Sequence, residues 1–188
     1  MGGELVAIGT HEFTENGSKP FHFIQSKTPS SSVTFPIADT NQAGMVLVEG
    51  LVMPSAVSYL RVQLKTSTGT LGQQCHYRTW AKGDSGFSRN SGNSNYFEIN
   101  GDKVDNNGDY ITFQIWISLD MVYSHPFKDC MFHYRSINHT ASLSNQAASS
   151  SKGMGKIEVL GEITRATILM DSGNINEHRI RCYNFFGN

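Results

Sequence analysis

Ile111-Thr112-Phe113-Gln114-Ile115-Trp116-Ile117 decides the fold. Its odd positions are all apolar and face one way, which is the period-two pattern of a strand with one face in a core. Trp116 then falls on the non-core face. Leu60-Arg61-Val62-Gln63-Leu64-Lys65 repeats the rule, with charge and amide on the wet side. Met45 to Met53 is apolar almost throughout and broken only by Glu49-Gly50. This predicts a strand covered on both faces, or one bent at Gly50. Further strands are expected at Leu5–Ile8, Phe21–Gln25, Ser32–Ile37, Gln74–Trp80, Tyr96–Ile99, Cys130–Ser136, Lys156–Leu160, Ile163–Met170 and Arg179–Phe186.

Between them lie turn clusters such as Glu15-Asn16-Gly17-Ser18, Ser67-Thr68-Gly69-Thr70 and Asn106-Asn107-Gly108-Asp109. Gly and Asn supply the positive-φ positions that tight turns require. Helical periodicity is confined to a weak stretch near Thr140–Ala148. Many short strands separated by turn signals predict an all-β fold, an antiparallel β-sandwich. Two polar stretches read as long loops: residues 81–95, and a Ser/Gly-rich stretch at 138–155. The chain then closes with an expected C-terminal hairpin over 156–188, turning at Asp171-Ser172-Gly173-Asn174. Residues 1–188 read as one domain.

Composition narrows the function. Charged residues make up 16% of 188 residues, and 15 basic against 16 acidic side chains leave a net charge of −1. That balance gives no electrostatic footprint for nucleic acid, so no nucleic-acid partner is expected. No apolar run approaches a membrane span, and the start Met1-Gly2-Gly3-Glu4-Leu5 lacks the basic and apolar regions of a signal peptide. Cys75, Cys130 and Cys182 sit singly within strand patterns, as buried free thiols do.

Catalytic and metal constellations are not evident. The seven histidines (His11, His22, His76, His125, His133, His139 and His178) are scattered at spacings that suit no metal motif. Asp84-Ser85-Gly86 lacks the GxSxG elbow of a hydrolase. Asn100 to Asp109 alternates oxygen-bearing side chains, which invites a calcium reading, but no bidentate Glu closes an EF-hand loop. A non-enzymatic protein without metal or cofactor is expected. The remaining candidates are aromatic. Trp80, Phe87 and Tyr96 bracket residues 81–95, and Trp116 lies on the outer face of its strand. These four rings either stack on a glycan or pack against a neighbouring sheet or subunit.

The order of these segments resembles small virion β-sandwich (jelly-roll) proteins of tailed bacteriophages, such as head decoration proteins, head fibres and tail-fibre modules. The resemblance runs through Glu4-Leu5-Val6-Ala7-Ile8, Leu47-Val48-Glu49-Gly50-Leu51, Tyr59 to Leu64, Tyr77, Ile111–Ile117 and Met131-Phe132-His133-Tyr134-Arg135. It ends on Ile163-Thr164 to Ile168, Ser172-Gly173-Asn174 and Arg179 to Gly187. The ending departs from the family pattern of Tyr-Gly plus an aliphatic residue, spreading over Tyr183-Asn184-Phe185-Phe186-Gly187-Asn188.

What the resemblance implies is a jelly-roll protein of the virion, made in the host cytoplasm and acting without catalysis. Because the first strand begins near residue 4, a free-standing capsid decoration (cement or head-fibre) protein is expected ahead of a tail fibre. Its implied partners are the major capsid protein or other virion proteins and further copies of itself, most often as a trimer. The N-terminal segment and one loop cluster would dock on the shell. The alternative is a tail-fibre or tail-appendage module that binds host-surface carbohydrate.

Overall fold

A computed structural model describes residues 21–36, 43–66, 73–83, 86–101, 103–104, 108–118, 127–139, 149–160 and 163–186, without the side chains of 21–22, 36, 43–44, 73–94, 127–129, 158–160 and 186. The expected strand Leu5–Ile8, the weak helical stretch Thr140–Ala148, and the N-terminal docking segment lie outside these residues. So do the acidic positions Asp102 and Asp105 of the calcium reading.

The described chain is all-β, with twelve strands in two antiparallel sheets. They are β1 (Phe21–Ser26), β2 (Ser32–Pro36), β3 (Ala43–Pro54), β4 (Leu60–Thr66), β5 (Gln73–Gly83) and β6 (Gly86–Ser94). There follow β7 (Phe97–Glu98), β8 (Tyr110–Ser118), β9 (Phe127–His139), β10 (Ser149–Leu160), β11 (Ile163–Met170) and β12 (Ile175–Phe186). The large sheet runs β1-β12-β3-β8-β9-β10-β5-β6 and the small one β2-β11-β4-β7.

Period-two patterning builds the interface between the sheets. Ile111, Phe113, Ile115 and Ile117 of β8 are buried, as are Leu60, Val62 and Leu64 of β4. Both sheets contribute to one apolar cluster. Phe97 of the small sheet stacks on Phe132 of the large one, ring centroids 3.8 Å apart, and lies 5.8 Å from Tyr134. Ring stacking and burial together hold the layers as a β-sandwich. Cys130 and Cys182 are buried in this cluster, and burial pushes the Cys182 thiol up to about 12. The side chain of Cys75 lies outside the described residues.

Met45–Met53 resolves into a single strand. Val46, Val48 and Val52 enter the core, while Leu47, Leu51 and Met53 are half-buried on the opposite face. At Gly50 β12 leaves no room for a side chain: a Cβ there would lie 2.5 Å from the carbonyl oxygen of Arg179 and 3.1 Å from the Phe113 ring.

Three expectations are corrected. Residues 81–95 are not a loop, since β5 and β6 form a hairpin whose register closes at Gly83↔Gly86. β6 is the last strand of its sheet, and it needs only backbone pairing to extend it, so Ser, Asn and Gly suffice. Nor is 138–155 all loop, because Ser149 to Gly155 belong to β10, between β9 and β5. There Ser151 and Gly153 are buried while Lys152 and Met154 are exposed. At Ser151 the residue is small where the backbone around Gly101 comes close. Ser136 donates to the Ile99 carbonyl at 2.5 Å, and the Gly101 amide donates to Ser151 Oγ at 2.8 Å.

The third correction concerns the C-terminus. β11 and β12 do not pair as a hairpin; β11 lies between β2 and β4, whereas β12 lies between β1 and β3. The turn at 171–174 is a corner from one sheet to the other. It is knitted to the parallel corner between β3 and β4. Ser58 Oγ and the Tyr59 amide donate to one Asp171 oxygen at 2.6 and 2.7 Å. The Ser55 amide donates to the Asn174 carbonyl at 2.8 Å, and the Asn174 amide donates to Ser55 Oγ at 2.7 Å. Gly173 adopts φ 72°, where a Cβ would sit 2.7 Å from Ser55 Oγ. Glycine is therefore required twice over, by conformation and by space.

The corner has a pH signature. Burial disfavours the Asp171 charge, but hydrogen bonds from Ser58 and Tyr59, with Lys103 and Arg61 nearby, outweigh it and hold the carboxyl below 3.8. His178 is buried with no partner for Nδ1 among the described residues, and burial lowers it below 6.5 despite Glu177. In both cases the unfolded chain takes up protons first, so stability falls as pH drops. The expected loss begins near the ordinary histidine value and steepens below the ordinary aspartate value. Asp171→Ala should cost ~2–3 kcal/mol at neutral pH, a fall in Tm of about 4–12 °C, and should flatten the lower part of the acid limb. A thermal melt series from pH 7 to 3 checks both; a constant Tm across it would contradict the assignment.

Candidate interaction face

The outer face of the large sheet carries charged, amide and aromatic side chains in register across its strands. Because register is continuous, residues align in rows across the strands. One row reads Phe23, Arg181, Glu49, Gln114, Arg135, Lys152, Trp80 and Arg89 from β1 to β6. On one side of it runs Tyr183, Leu47, Trp116, His133 and Met154, and on the other Gln25, Arg179, Leu51, Thr112 and Ile137.

The middle row is a hydrogen-bonded chain. Arg135 Nε donates to Gln114 Oε1 at 2.7 Å, and Gln114 Nε2 donates to Glu49 Oε2 at 3.2 Å. Glu49 also accepts from Tyr183 OH at 3.3 Å and Arg181 Nη1 at 3.5 Å. Burial, and then the Glu49 carboxylate, push the Tyr183 phenol above its ordinary value. The Arg181 guanidinium lies 5.9 Å from the Phe23 ring centroid.

An open groove of about 680 Å³ runs across β1, β12, β3, β8 and β9. Arg179 and Arg181 flank one end and Arg135 the other, with Glu49 and Gln114 between them. Beyond the groove, on β9 and β10, Met131 and Met154 are 64% and 59% exposed.

The four aromatic candidates separate. Trp116 lies on this outer face, half-buried, as its place in the alternation requires. Its ring is no free platform, because the His133 imidazole stacks on it at 4.7 Å and 8° and Arg135 lies 5.6 Å from its centroid. Trp80 and Phe87 take register positions in the same sheet, Trp80 opposite Lys152 and Phe87 opposite Lys82; their side chains lie outside the described residues. Tyr96 lies apart, at the small sheet, beneath the Arg61 guanidinium at 4.2 Å. Arg61 in turn grips Glu98 through Nε and Nη2, both at 3.0 Å. Asn100 is committed as well, accepting from the Leu60 amide at 2.6 Å. No group of three metal-ligating side chains occurs among the described residues.

The groove residues Phe23, Glu49, Gln114, Arg135, Arg179 and Arg181 were not singled out by sequence reasoning. A signal was present: Arg179-Ile180-Arg181 sets two cations two positions apart around a core isoleucine, so both must share the wet face.

No protein-family model matches this chain, and no curated protein matches it. Among solved structures it is similar to the catalytic domain of PdAgaC, at 9% identity over 89% of this chain and 76% of that one, TM-score 0.23. It is also similar to VP2 of the infectious bursal disease virus subviral particle, at 12% identity over 87% of this chain, TM-score 0.17. This chain spans 38% of that viral protein. Likenesses so distant carry no argument about function. Fold and face define an all-β sandwich with one broad, Arg- and Met-bearing outer surface.

Proposed function

We propose that this chain is a non-enzymatic virion structural protein, a jelly-roll sandwich that decorates a phage capsid as an oligomer and stabilises the shell. The jelly-roll reading is supported by strand order. Within β1-β12-β3-β8 and β2-β11-β4-β7 the chain alternates sheets at every step but the one from β4 to β7, with the last strands inserted between the early ones. β5, β6, β9 and β10 are then an extension of the large sheet.

The observation that carries the proposal is the exposed pair Met131 and Met154, on adjacent strands and flanked by Lys152, His133 and Arg135. Methionine and arginine are over-represented at protein interfaces, and two methionines this exposed are a burden on an isolated surface. They form the contact between copies in this reading. Binding to assembled shells then stabilises them by mass action. The major capsid protein is the partner, and the virion is the location.

The native mass of the purified protein tests this. Wild type is expected as a discrete oligomer, a trimer foremost, and Met131→Glu with Met154→Glu as a monomer that still melts cooperatively. A monomeric wild type would overturn the assembly. The groove favours a second reading, a receptor-binding tail module that contacts host carbohydrate.

A further inference from the structure

We infer that the groove across β1, β12, β3, β8 and β9 binds an acidic polysaccharide, a chain of sugars bearing carboxylates or sulfates. The inference stands on the groove alone and is independent of the shell reading. Among the groove-lining residues three arginines face one carboxylate, Glu49, in a protein whose overall charge is −1. Cationic side chains are thus gathered here against the overall balance.

Their geometry suits an extended polyanion better than a single ion. Arg135 and Arg181 share a row but are separated by β8 and β3, three inter-strand steps or roughly 14 Å. Arg179 extends the cationic end one row further along β12. Arg135 uses Nε on Gln114, and no carboxylate pairs with it among the described residues. Its two terminal nitrogens therefore remain for a bidentate contact with a carboxylate or sulfate. Arg181 is 56% exposed and meets Glu49 only at 3.5 Å; Arg179 is 55% exposed and meets Glu177 at the same distance.

The rest of the lining suits sugar. Gln25 and Gln114 offer amide groups for hydroxyls, and Phe23 and Leu51 offer apolar surface for the C–H faces of a pyranose ring. Phe23 is the one aromatic ring among the described residues that lines the groove beside the core ring Phe113. That leaves no row of rings on which successive bases of a nucleic acid would stack.

Titration calorimetry and affinity electrophoresis of the full chain test the inference, with polygalacturonate and dextran sulfate as probes and uncharged dextran as control. Binding to at least one polyanion is expected, absent with dextran and weakened by salt. Arg135→Gln combined with Arg181→Gln should weaken it about tenfold or more, the scale of lost charge-assisted contacts. Glu49→Gln should strengthen it, a gain that mere structural damage would not produce. If the double variant fails to fold, Arg179→Gln, at an exposed site, serves in its place and should still weaken binding. No binding to either polyanion, binding unaffected by the arginine changes, or equal binding to a thymidine oligonucleotide would each overturn the inference.

Discussion

A chain ending at Ser172 is expected not to fold. The deletion removes β12, which lies between β1 and β3 in the large sheet, in register from Phe21↔Tyr183 to Ser26↔His178 on one side. On the other it pairs β3 from Ile175↔Pro54 to Phe186↔Ala43. Both neighbours would lose their ladder hydrogen bonds at once, and unpaired backbone groups in a protein interior are costly. Ile175, Ile180 and Cys182, exposed 1% or less, would leave the core. Each large apolar side chain contributes about 1.5–3 kcal/mol, and a whole domain holds only about 5–15 kcal/mol. Gly173 and Asn174 would also be lost from the corner with Ser55. The truncated chain should give no cooperative melt and a poorly dispersed amide spectrum. A sharp thermal transition from it would show that β12 is dispensable.

Ile115→Asp is the second large effect. Ile115 is 1% exposed, with Val48 on β3 and Tyr134 on β9 opposite it in register. Both of these neighbours are themselves buried. A carboxylate at this point has no partner on the core face of β8, where Ile111, Phe113 and Ile117 flank it. An unpaired buried charge costs several kcal/mol or forces protonation, so the variant should be unfolded or insoluble at neutral pH. Ile115→Val removes one methylene and should cost only about 0.5–1.5 kcal/mol, measured by denaturant titration. A soluble Ile115→Asp with a native spectrum would mean that the facing of β8 is reversed.

How far the sequence could be read follows from where its information is local. β4 and β8 were legible because alternation along one strand reports its own burial. Pairing partners are not local. Asp171-Ser172-Gly173-Asn174 marks a reversal of direction, yet nothing in those four residues distinguishes a hairpin from a corner between sheets. The distinction is made by Ser55, Ser58 and Tyr59, more than a hundred positions earlier. The first half of β10, Ser149 to Gly155, escaped because its buried positions, Ser151 and Gly153, are small rather than apolar, whereas the expected strand Lys156–Leu160 is its second half. Size alternates there while hydropathy does not. Trp116 was correctly placed on the outer face, but its covering by His133 depends on the β8–β9 register. The arginine groove is assembled from five strands, and only the Arg179-Ile180-Arg181 fragment of it is visible in any one of them.

Capsid decoration is the central claim, and co-sedimentation of the purified protein with phage shells stripped of their surface proteins tests it most directly. The proposal predicts saturable pelleting with the shells at a fixed ratio per capsomer, together with a rise in the temperature at which the shells come apart. Protein that remains in the supernatant at every concentration, with shell stability unchanged, would contradict it.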